Sequence, residues 1–194
     1  MSLAARYADL GRRVFSDVPL DAIFDEEEDD GYDEDEEEGT PIATALSGVS
    51  DRAWTEFVRR MAVAPLSAVS PSNALGMFEL SVRRLADLGI VGSLVRTTKD
   101  NRTIWCADFI APMTSDKFLK SAKAQYQALA RSMRDYADRI ASGEVARDPR
   151  ISLAGALAIL HRGGPSGLKT WFGTDVFPAM KKTKQLYSTV AEIF

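Results

Sequence analysis

The stretch ALGMFELSVRRLADLG, residues 74–89, decides the reading of this chain. Gly76 permits a tight turn that residues with a Cβ rarely adopt. Met77 and Phe78 make a short apolar step. Glu79 then opens an amphipathic helix expected over 79–88, with Gly89 as its left-handed stop. A turn, an apolar step, a lone carboxylate and a helix thus follow one another within this one stretch.

The flanking sequence extends this into a mainly helical fold. Upstream, Ser50 or Asp51 caps a helix running to about Val63, with Trp54, Phe57, Val58 and Met61 on one face. Residues 64–76, APLSAVSPSNALG, are dense in turn formers and read as a loop. Downstream, residues 91–97 and 103–108 flank Lys99-Asp100-Asn101 as a small β-hairpin. Residues 115–141 follow as a long helix, with Phe118, Ala122, Tyr126, Leu129, Met133, Tyr136 and Ile140 at steps of three and four and Thr114 or Ser115 as cap. Residues 152–161 (SLAGALAILH) are apolar almost all round, the mark of a buried helix. Gly163-Gly164 ends it, Pro165 starts a short helix over 165–172, and a last helix covers about 178–193. The fold class is mainly α (α+β), with one small β-hairpin.

Length, cysteine content and charge narrow the class. A chain of 194 residues is long enough for one sizeable core. It has no uninterrupted apolar run of the roughly 18 residues a spanning helix needs. The first residues, MSLAARYADLGRRVF, read as a short helix over 3–15 rather than a secretory signal, so synthesis in a reducing cytoplasm is expected. One cysteine, Cys106, excludes an intrachain disulfide and reads as a packed strand residue; with one histidine it also argues against a structural zinc site. No metal and no cofactor are expected. The net charge of −4 hides an asymmetry. DEEEDDGYDEDEEE, residues 25–38, holds 12 of the 28 acidic residues, while residues 41–194 carry 21 Lys and Arg against 13 Asp and Glu. The organisation expected is an N-terminal helix and linker (1–24), an acidic arm (25–40) that self-repulsion keeps open in isolation, and a basic helical domain (41–194). The acidic run reads as a solvated tail, as a docking strip for a basic partner surface, or as a strip that folds back on its own basic domain.

Three segments resemble the lysozyme-like superfamily, in particular phage-type peptidoglycan hydrolases and lytic transglycosylases. AVSPSNALGMFELS (68–81) is similar to a loop ending in Ser-Pro followed by Gly-apolar-apolar-Gln. SDKFLKSAKAQYQALARSM (115–133) resembles the family helix that carries Phe-Leu and then Gln. ISLAGALAILHRGGPSGLKTW (151–171) resembles its buried small-residue helix with a His-x-Gly-Gly-x-x-Gly turn. The resemblance covers about residues 50–172 and implies a lysozyme-like fold for 41–194. It fits particle-borne versions better than secreted ones. It also implies that Ser70, Met77, Phe78 and His161 line the sugar site.

Glycoside cleavage needs a carboxylic acid kept protonated near the glycosidic oxygen. The resemblance would place that acid at the end of the first domain helix. Here residues 61–67, MAVAPLS, contain no carboxylate. Glu56 lies about one and a half turns earlier, misplaced by roughly 8 Å at the rise of an α-helix, and reads as a surface residue paired with Arg60. Glu79 stands where the family pattern has Gln. It is either a displaced acid or a carboxylate favoured by the dipole of the helix it opens. Gly163, Gly164 and Gly167 lack the Lys-Ser/Thr of a phosphate-binding loop and read as turn chemistry. Arg83, Arg84, Arg131 and Arg134 are scattered on helix faces and read as solvated, which makes nucleic acid the least favoured partner.

The leading expectation is a phage-type, virion or injection-particle protein with a peptidoglycan hydrolase fold and impaired catalysis. It would be a tail or baseplate component or a cell-wall-engaging part, with residues 25–38 docking on other particle subunits. The alternative is an active muramidase or lytic transglycosylase using Glu79.

Overall fold

The computed structural model describes residues 46–99, 101–172 and 178–194, with the backbone alone at 178–180. The expected helix at 3–15, the linker and the acidic run 25–38 lie outside the described residues. The described chain is mostly helical with two small antiparallel strand pairs. It divides into two compact units. The described part of the first is Ala62–Gln127; that of the second is residues 46–61 together with Ala128–Phe194.

In the second unit, helix α1 (Asp51–Met61) buries Trp54, Phe57, Val58 and Met61, the face its spacing predicts. Ser50 Oγ accepts the Ala53 N–H at 3.3 Å and so caps it. Glu56 pairs with Arg59 and Arg60, and Arg60 donates in turn to the carbonyl of Thr189. Helix α4 (Ala122–Ala141) gives its residues from Ala128 onward to this unit, burying Leu129 and Met133. Helix α5 (Leu153–Lys169) buries every residue from Ala154 to Leu160, as its composition predicts. Gly164 adopts φ 61°, ψ −170° and breaks the helix there, and Pro165 starts its second part. Helix α6 (Pro178–Val190) packs against α1 and α5. Phe57 meets both Trp54 and Phe194, with ring centroids 5.6 and 5.3 Å apart. Between α4 and α5, Arg150 grips Asp148 with two guanidinium N–H bonds at 2.9 and 2.7 Å, which holds that carboxyl down at about 2.

In the first unit the loop after Ala62 folds through two tight turns. Ala74–Leu75 (β1) pairs with Leu80–Ser81 (β2), and Val69 bridges back to Leu75. Helix α2 (Val82–Asp87) follows at once. The hairpin of β3 (Val95–Lys99) and β4 (Arg102–Cys106) comes next, extended by a bridge from Val91 to Phe109. Helix α3 (Ser115–Lys120) and the start of α4, through Gln127, complete the unit.

Four expectations need correcting. Helix α2 begins at Val82, not Glu79. Glu79 has φ 48°, outside helical backbone, and its N–H closes a turn on the Gly76 carbonyl at 3.0 Å. Residues 80 and 81 are therefore a strand, and Ser81 is the cap, its hydroxyl accepting the Arg84 N–H. A second strand pair thus accompanies the expected hairpin. The long helix 115–141 is two helices. Ser121, at φ −102° and ψ 108°, breaks the run, and its hydroxyl accepts the Ala124 N–H at 3.1 Å to start α4. Arg84 is not solvated but only 6% exposed, its guanidinium 3.9 Å from the Asp87 carboxylate.

Small residues in α5 serve close packing. A Cβ built on Gly155 would lie 2.4 Å from Cε2 of Tyr187, whose ring also packs on Trp171 at 4.8 Å. Gly155→Ala is therefore expected to destabilise by about 1–3 kcal/mol in urea unfolding. In a Tyr187→Ala background the same change is expected to stabilise by up to about 1 kcal/mol, because only helix propensity then remains.

Candidate functional site

The predicted site residues of the first unit gather in the loop and turns of 62–81. Ser70 shapes the first turn. Its hydroxyl accepts the Ala74 N–H at 2.9 Å and lies 2.9 Å from the Ser72 hydroxyl. Its N–H donates to the Ala74 carbonyl at 2.8 Å, and its carbonyl takes the Asn73 N–H. Asn73, at φ 61°, sits where asparagine is tolerated. Its side-chain amide donates to the Trp105 carbonyl at 2.9 Å and so fastens this turn to β4, next to the half-buried Cys106.

The second turn holds Gly76, Met77, Phe78 and Glu79. Met77 and Phe78 are 6% and 2% exposed, so their side chains belong to the core. Glu79 and Ser70 are the members of the predicted set that reach the surface here, both half-buried. The Met77 carbonyl accepts the Val63 and Ala64 N–H groups at 2.9 and 3.1 Å. The Met77 N–H donates to Gln125 Oε1 at 2.8 Å.

Gln125 is fully buried at the start of α4, and its amide is saturated by backbone. Besides the bond from Met77, its Nε2 donates to the carbonyls of Leu66 and Phe118, each at 2.9 Å. The orientation follows from chemistry: one acceptor faces one N–H, and two donors face two carbonyls. Gly76 makes room for it. A Cβ there would fall 2.1 Å from Gln125 Oε1, and φ of 72° excludes most other residues as well. Sequence reasoning placed Gln125 in a resemblance segment but gave it no role.

His161 belongs to the second unit. It is helical, in the last turn of α5 before the break at Gly164, and half-buried.

A cavity of about 310 Å³ in the first unit was not foreseen. Leu75, Val82, Val91, Phe109 and Met113 give it an apolar lining, and Asn73, Asp108, Thr114 and Ser115 supply polar groups. None of the predicted site residues lines it. Its size is at the lower end for a small-molecule site. No sequence signal marks it, because its lining comes from several separate segments. Among the described residues, no cluster of three or more His, Cys, Asp or Glu side chains could hold a metal ion, and no helix is long and apolar enough to cross a membrane.

No family model, curated protein or solved structure matches this chain.

Two expectations follow from this geometry. Gln125→Met keeps the volume but strands one N–H and two carbonyls. At about 1–3 kcal/mol for each unsatisfied group, a loss of at least about 3 kcal/mol is expected in urea unfolding. Glu79→Gly removes the Cβ from a left-handed position and is expected to be neutral or to stabilise by up to about 1 kcal/mol in the same assay.

Proposed function

We propose that this chain is a non-cleaving, particle-associated protein on a lysozyme-like scaffold. It would serve as a structural part of a phage-type tail or baseplate, or as a part that engages the bacterial cell wall. The observation that carries this reading is the use made of residues 62–67. On the proposed scaffold the catalytic acid would stand here. The stretch has no carboxylate. Instead the N–H groups of Val63 and Ala64 bond to Met77, and the carbonyl of Leu66 accepts from Gln125. Backbone that would have to position a reacting group is committed to holding the second turn. The same network joins two of the three segments that carry the resemblance, since Gln125 of one bonds to Met77 of the other. In this reading residues 25–38 dock on a basic surface of a neighbouring subunit.

A second reading has one observation in its favour. Glu79 is a non-glycine residue at positive φ, and backbone of that kind recurs at functional sites. Glu79 would then be a displaced acid in an active muramidase or lytic transglycosylase.

Purified chain and Glu79→Gln, incubated with peptidoglycan sacculi, separate the two. Turbidity, mass spectrometry of released muropeptides and co-sedimentation are read together. The proposal expects no released muropeptides from either protein. Release by the wild type that Glu79→Gln abolishes establishes the enzyme instead. Co-sedimentation without release assigns the wall-engaging role, and its absence leaves the structural one. Deleting residues 25–38 is expected to abolish incorporation into the parent particle, and unchanged incorporation removes the docking role.

A further inference from the structure

The cavity of about 310 Å³ in the first unit has no part in the wall-hydrolase reading. Its lining is graded. Leu75, Val82 and Val91 are buried, while Asp108, Thr114 and Ser115 are exposed. An apolar interior thus meets a polar rim. Backbone bonds hold the walls. Val91 bridges to Phe109. On either side of that bridge the Gly92 N–H donates to the Asp108 carbonyl at 2.8 Å, and the Ile110 N–H to the Ile90 carbonyl at 3.1 Å. The Phe109 ring packs on Phe118, with centroids 5.2 Å apart. Asn73 is fixed by its bond to the Trp105 carbonyl. A space whose walls are tied in this way exists before a ligand arrives, which lowers the cost of binding.

The rim sets the charge of the ligand. Residues 41–194 are rich in Lys and Arg, yet no described Lys, Arg or His lines the cavity, and its one ionisable side chain is Asp108. Among the described residues no cation pairs with the Asp108 carboxylate. Asp116, the next carboxylate along the chain, is committed to Lys120 at 2.9 Å. Asn73 uses Nδ2 for the Trp105 carbonyl, which leaves Oδ1 as an acceptor. The rim therefore offers acceptors, one of them a full negative charge, and an N–H cation is the group that matches them.

We propose that this cavity binds a small organic cation, a primary ammonium that carries a compact apolar body. The body fills the space between Leu75, Val82, Val91 and Phe109, and the ammonium donates to Asp108 and to Asn73 Oδ1. The charge stays at the exposed rim, so no ion has to be buried. An anion of the same shape meets Asp108 with like charge, and a neutral alcohol lacks the charge-assisted bond. Nothing in this site depends on the wall-hydrolase reading.

Phenethylammonium is the probe, with phenethyl alcohol and phenylacetate as its neutral and anionic counterparts. Each is titrated into the isotope-labelled full chain and followed by amide NMR. The ammonium is expected to shift the amides of Leu75, Val91, Phe109 and Met113 saturably, with a Kd on the order of 1 mM for so small a ligand. It should bind about ten-fold more tightly than the alcohol, the margin of a charged over a neutral hydrogen bond, and phenylacetate should not bind. Asp108→Asn is expected to erase that preference and leave alcohol binding unchanged. Asp116→Asn, which removes a charge outside the lining, is expected to alter neither. The amide spectrum shows whether each variant folds, and the three-ligand comparison on the wild type stands without them. No saturable shift at roughly 10 mM ammonium, shifts centred outside the lining, equal affinity for the alcohol, or a preference that survives Asp108→Asn would each overturn the proposal.

Discussion

The buried carboxamide of Gln125 is the constraint on which the first unit depends. Two turns and the end of a helix bring three backbone groups around one fully buried side chain. Each would cost free energy if left unpaired there. One side chain at the start of α4 satisfies all three. Gly76 has no Cβ to obstruct it, and the Met77 carbonyl adds two more bonds from the incoming loop. These bonds are coupled. A shift of the 76–77 peptide strands Gln125, and a shift of Gln125 frees the carbonyls of Leu66 and Phe118. The turn sits in a single conformation because several polar groups agree on it, with the apolar side chains of Met77, Phe78 and Leu80 filling the space behind.

That coupling explains which parts of the fold the sequence makes legible. Helices α1 and α5 are written in local periodicity. Trp54, Phe57, Val58 and Met61 recur at helical steps, and SLAGALAIL leaves no polar face, so burial follows from composition. The start of α2 is not written locally. Residues 79–88 have a helical pattern, yet Leu80 pairs with Leu75 and the Glu79 N–H is drawn to the Gly76 carbonyl. A turn and two strand pairings outweigh helix propensity, which is worth only tenths of a kcal/mol per residue. Ser121 is similar. The apolar rhythm runs on through it, while its hydroxyl offers α4 a cap and so permits the break. For Arg84 nothing in a helix-face pattern distinguishes it from its exposed neighbour Arg83.

The loop was legible, the side chains' roles in it less so. The turn formers of 64–76 and Gly76 predict a loop that ends in a tight turn, and the structure has one, with Glu79 in that turn rather than in the helix. What each residue does depends on partners remote in sequence: Ser70 completes a turn, Met77 lends its backbone to Gln125, and Phe78 is core. The cavity beside them takes its lining from five or more separate stretches, so neither motif nor period announces it.

Electrostatics gives the chain a second level of organisation that burial does not determine. The body from residue 41 onward is basic and the run at 25–38 is intensely acidic. Within the described residues the β3–β4 ribbon shows how that basic charge is carried. Its register sets Arg96 and Trp105 on one face and Lys99 and Arg102 on the other, and the guanidinium of Arg83 lies over the indole. Every residue of β3 is exposed and β4 buries only Ile104. Exposed charges of this kind contribute little to stability individually, so the ribbon's charge can change without disturbing the Gln125 network that holds the neighbouring turns.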